Sequence, residues 1–69
     1  MKPETALKDR SYNLISTLYH CLQGAEHSTI YIEDAKAEKD PEVEEFFKEA
    51  FKQYNQLAER AKKLLGTRI

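Results

Sequence analysis

Between Tyr12 and Leu65 the chain offers one strong stop to a helix, the Asp40-Pro41 step in the stretch EKDPEVEEF, and that single interruption dictates most of the architecture. Glycine and proline punctuate a chain, and there are only two of each in 69 residues. Pro3 and Gly66 lie outside the long periodic segments. Gly24 lies inside the first, but the apolar phase runs through it unchanged. It is read as a small residue that lets a neighbouring helix approach closely, at a propensity cost of about 1 kcal/mol. Two long helices joined by one short turn follow.

Asp40 is the expected N-cap of the second helix, its carboxylate accepting from amides of the first turn, and Pro41 supplies the preset φ of the first helical position. Glu42, Glu44 and Glu45 then place negative charge at the positive end of the helix dipole. The helix is expected over 41–65, ending at Gly66 in a left-handed conformation, with Lys62 and Lys63 in its last turn. The first helix is expected over about 4–38. Pro3 and Ser11 both offer openings, and Leu7, in phase with the later apolar positions, favours the earlier one. The whole chain, 1–69, reads as one helical-hairpin domain.

On the second helix Val43, Phe47, Ala50, Tyr54, Leu57, Ala61 and Leu64 follow alternating steps of four and three. With Phe46, Phe51, Ala58 and Leu65 they form a stripe of roughly 140° at 100° per residue. The first helix differs. Leu14, Leu18, Cys21, Leu22, Ala25, Thr29, Ile32 and Ala35 form one stripe, and Tyr12, Ile15, Tyr19 and Ile30 a second beside it, together spanning roughly 220°. One antiparallel neighbour covers less than that. The expected fold is therefore all-α, an antiparallel two-helix hairpin pairing with a second copy into a homodimeric four-helix bundle. Its dimer interface is assigned to Tyr12, Ile15, Tyr19, Leu22, Glu26 and Ile30.

Size points the same way, because a chain this short buries a marginal core. A lone cysteine closes no intramolecular disulfide, and no cysteine or histidine cluster has zinc-site spacing, so a partner subunit is the remaining source of burial. Eleven Lys+Arg against twelve Asp+Glu give a formal net charge of −1, with no electrostatic drive toward nucleic acid or anionic membrane. The opening residues lack a signal-peptide core, and no run approaches a membrane span. A cytoplasmic protein with a reduced thiol is expected.

The stretch LYHCLQGAEH gathers two histidines, a cysteine and a glutamate, the residue types of a metal or redox site. Its spacing argues against one within a single subunit. His20 and His27 lie on nearly one meridian but about 10.5 Å apart along the axis, and neither has a ligand three or four residues away. Cys21 lies in the core stripe, where a thiol acts as a small hydrophobe. Glu26 sits on the second apolar stripe, where an unpaired carboxylate is costly. It is read as a boundary residue that reaches water or pairs across the interface, with a ligand as the competing reading. Glu33, one heptad later, is read as rim.

The segment YNLISTLYHCLQGAEHSTIYIEDAKAEKDPEVEEFFKEAFKQYNQLAERAKKLL resembles the short helical hairpins of the ferritin-like class. That resemblance implies a glutamate in mid-first helix, which Glu26 matches, and a Glu-x-x-His on the second. The latter places fall on Tyr54 and Leu57 in QYNQLAER. The resemblance thus implies the fold and the paired assembly but a ligand set replaced by packing residues. No Gly-rich loop, Ser-His-Asp arrangement or HExxH is present. The reading is a non-catalytic homodimeric interaction or scaffold protein without cofactor or metal, whose partners are itself and possibly another protein, with no nucleic acid and no membrane. The alternative is a ferritin-like metal binder using Glu26 with His20 or His27 across a dimer interface.

Overall fold

A computed structural model describes residues 9–67, which form two helices packed against each other, α1 (Arg10–Ala37) and α2 (Pro41–Gly66). The expected all-helical hairpin is what the chain builds. The expected opening of α1 near residue 4 lies outside the described residues. Within them Asp9, in extended backbone, is the N-cap: its carboxylate accepts from the Tyr12 amide at 3.1 Å, and its carbonyl accepts from the Asn13 amide at 2.9 Å. Ser11, the later opening offered by the sequence, falls one residue inside the helix.

The turn spans residues 38–40, one residue more than the expected helix bounds leave. Glu38 ends α1, Lys39 takes the left-handed conformation at φ 58°, and Asp40 already caps α2. The Asp40 amide donates to the Ala35 carbonyl and the Lys39 amide to the Lys36 carbonyl, both at 3.0 Å. This is the Schellman arrangement, with a lysine in the position glycine usually holds. At the start of α2 the Asp40 carboxylate accepts from the Val43 amide at 3.3 Å and Pro41 opens the first turn, as expected. Gly66 departs from expectation. It stays helical, and Thr67 closes α2 instead, donating both its amide and its hydroxyl to the Leu64 carbonyl. A threonine hydroxyl serves that carbonyl without a left-handed residue.

The seam between the helices follows a heptad on both. On α1 it comprises Ser11, Leu14, Leu18, Cys21, Ala25, Ser28, Ile32 and Ala35, all buried or half-buried. On α2 it runs through Glu44, Phe47, Phe51, Tyr54, Ala58, Ala61 and Leu65. Alternating steps of three and four keep such a seam facing its neighbour along the whole length. The buried members are small: Cys21, Ala25, Ser28, Ala35, Ala58 and Ala61, with Leu65 the one large exception. Ser28 is 2 % exposed and its hydroxyl donates to the Gly24 carbonyl at 2.8 Å, so its burial leaves no polar atom unmet.

Each seam differs from the stripe that hydrophobicity picks out. Leu22 and Thr29 leave the α1 seam to Ser28; on α2 Val43, Leu57 and Leu64 turn outward beside the buried Ala58 and Leu65, while Ala50 stays half-buried. Small side chains allow the helices to close on each other, and the large ones are displaced to the edges. The contacts fix the register. Tyr54 lies with its ring carbons 2.8–2.9 Å from where a Cβ on Gly24 would stand, and the Tyr31 and Phe47 rings meet with centroids 5.1 Å apart. Both contacts are centred on Lys39. The close approach inferred for Gly24 is thus made by a tyrosine ring.

Lysine–glutamate pairs run along α2 from the edge of the seam to the outer face. Lys48 reaches Glu44 at 3.1 Å and Glu45 at 3.9 Å, and Lys62 reaches Glu59 at 3.5 Å. The hydrogen bond to Glu44, then that carboxylate's charge, raises the Lys48 pKa above its ordinary value. A raised lysine pKa adds stability that is present at neutral pH and fades only as pH climbs through the lysine range. Because the lysine end of the pair is open to solvent, the contribution is small.

Candidate functional site

A seam of small residues leaves the hairpin with more large apolar side chains than it can cover. On α1, Tyr12, Ile15, Tyr19, Leu22 and Ile30 are between 46 and 59 % exposed, and Glu26 stands exposed among them. These are the six residues that sequence reading groups as one face. Tyr12, Ile15, Tyr19, Leu22 and Glu26, with Thr29 and Glu33, repeat the three-four spacing of the buried seam and Ile30 lies beside them, so α1 carries a second seam with nothing packed on it among the described residues. Tyr19 touches the edge of His20, centroids 5.3 Å apart, and accepts a long hydrogen bond from Gln23.

The second exposed surface lies on α2 and was not legible as such in the sequence. Phe46, at 64 % exposure, is the most open large apolar side chain among the described residues, and Val43, Leu57 and Leu64 accompany it. Along this flank runs an open groove of about 830 Å³, lined by Phe46, Ala50, Tyr54, Leu57 and Arg60. A smaller hollow of about 280 Å³ near the turn is shared by Tyr31, Ala35, Val43 and Phe47.

The two surfaces lie on opposite sides of the hairpin. Ile15 and Leu22 follow the seam residues Leu14 and Cys21 by one position, a turn of about +100°, whereas Val43, Leu57 and Leu64 precede Glu44, Ala58 and Leu65, about −100°. The helices run antiparallel, so both displacements are clockwise when viewed from one end. Because the seams face each other, the same sense of rotation carries the stripes to opposite flanks. The hollow joining Tyr31 to Val43 agrees, since Tyr31 also precedes its seam neighbour, Ile32.

The ligand-bearing residues of LYHCLQGAEH are not gathered. Cys21 is 5 % exposed in the seam, His20 and His27 are exposed, the latter beside Tyr31 at 6.3 Å between centroids, and Glu26 faces the α1 flank. Among the described residues no three histidine, cysteine, aspartate or glutamate side chains come together as a metal would require. Tyr54 covers Gly24, and Leu57 lines the groove. Among the described residues no helix is long and apolar enough to cross a membrane. Comparison of the chain with family models, with curated proteins and with solved structures finds no match.

Proposed function

We propose that this chain is a non-catalytic interaction module that pairs with a second copy of itself through α1 and meets a protein partner through α2. The exposure of Tyr12, Ile15, Tyr19, Leu22 and Ile30 carries the reading. A continuous apolar face of this kind, repeating at heptad spacing and rimmed by charge, is the surface of an unfinished helical bundle. Isologous pairing finishes it with the fewest requirements, because each copy supplies the same face. Glu26 sits within that face as its polar member.

Sedimentation equilibrium on the unmodified chain tests the reading. The expected mass is twice 8.1 kDa at micromolar concentration. Replacing Tyr19 and Ile30 together by lysine is expected to give a monomer with much of its helicity lost, since the hairpin seam alone holds little apolar area. A stable, fully helical 8.1 kDa monomer for the unmodified chain overturns it.

A further inference from the structure

We infer that the two copies pair with their α1 helices antiparallel, about a two-fold axis passing between Leu22 and Gln23. This rests on the self-pairing proposed above and specifies its geometry. The α1 flank is chemically uneven: its N-terminal half carries the phenols of Tyr12 and Tyr19, and its C-terminal half the carboxylates of Glu26 and Glu33. Rotation about that axis sets Tyr19 opposite the partner's Glu26, Tyr12 opposite the partner's Glu33, and Ile15 opposite the partner's Ile30. Apolar groups then meet apolar groups, and each carboxylate meets a hydroxyl able to donate to it.

A parallel pairing in register does the reverse. It stacks Glu26 on the partner's Glu26 and Glu33 on the partner's Glu33, placing like charges together in a surface that is losing its water. The phenol–carboxylate bond is charge-assisted and among the stronger hydrogen bonds a neutral donor makes. Tyr19 and Glu26 therefore set orientation, while Ile15, Leu22 and Ile30 supply burial. Glu33, on the rim, already holds Lys36 at 3.6 Å and stays partly in water.

The orientation is measurable as a distance. A single spin label on Arg10→Cys, in a Cys21→Ala background, marks the start of each α1. Antiparallel pairing about this axis puts Arg10 level with the partner's Ala35, so the two labels are separated by about 37 Å along the axis plus the interhelical spacing. Parallel pairing brings them to roughly the interhelical spacing, about 10 Å. A long distance supports the inference. A short distance in a dimer overturns it and leaves self-pairing intact, and a monomer overturns both. A second measurement needs no engineered cysteine: Tyr19→Phe and Glu26→Gln should each weaken dimerisation several-fold, and the double variant should be no weaker than either single one. Additive losses would mean that the two side chains do not meet.

Discussion

Gly24 and Tyr54 show how a single side chain is fitted into the hairpin. Glycine in mid-helix gives up about 1 kcal/mol against alanine, and the structure supplies the reason for keeping it: the Tyr54 ring occupies the space a methyl group would need. Gly24→Ala alone should therefore recover well under about 1 kcal/mol, because the propensity gained is spent displacing the ring, whereas in a Tyr54→Ala background the full gain of about 1 kcal/mol should appear. Urea denaturation of the four proteins of that cycle measures the difference. Equal gains in both backgrounds would separate the two residues. Lys39 poses the converse case, a side chain where glycine belongs. Its left-handed backbone costs about 1 kcal/mol or more for a residue with a Cβ, so Lys39→Gly should raise stability by about 0.5 to 1 kcal/mol after the added freedom of the unfolded chain is counted.

At the scale of the element, the caps decide where each helix begins. Asp40→Ala should cost about 1 kcal/mol through loss of the carboxylate that accepts from Val43. An unchanged denaturation midpoint would contradict the placement of the turn. The boundaries of α2 were readable because Asp40-Pro41 combines two independent local signals, a side-chain acceptor and a fixed φ. The start of α1 was harder: Asp9 carries the cap, yet Pro3, Leu7 and Ser11 all compete for attention in the sequence. The C-terminal glycine misled in the opposite direction, because Thr67 satisfied the Leu64 carbonyl first. The seams were half legible. Period and phase identify the exposed α1 face, but hydrophobicity ranks Leu22 above Ser28 and Leu57 above Ala58, while close helix approach selects the smaller member each time. The exposed flank of α2 stayed hidden for that reason, since a stripe of roughly 140° looks narrow enough for one neighbour to cover.

For the molecule as a whole, the proposed pairing links folding to association. Thermal unfolding followed by circular dichroism should then shift to higher temperature as protein concentration rises, by several degrees over a hundredfold range, since mass action favours the paired folded state. A midpoint independent of concentration would indicate a hairpin that stands alone. The opposed placement of the two apolar flanks adds a geometric consequence. Whatever covers α1 leaves the α2 groove open, and a pair joined through α1 turns its two grooves away from each other. Such a particle is bivalent in the manner of a coupling rod: it holds two partner molecules apart at a fixed spacing and cannot close both grooves on one rigid surface. Its avidity would then depend on how its partners are spaced.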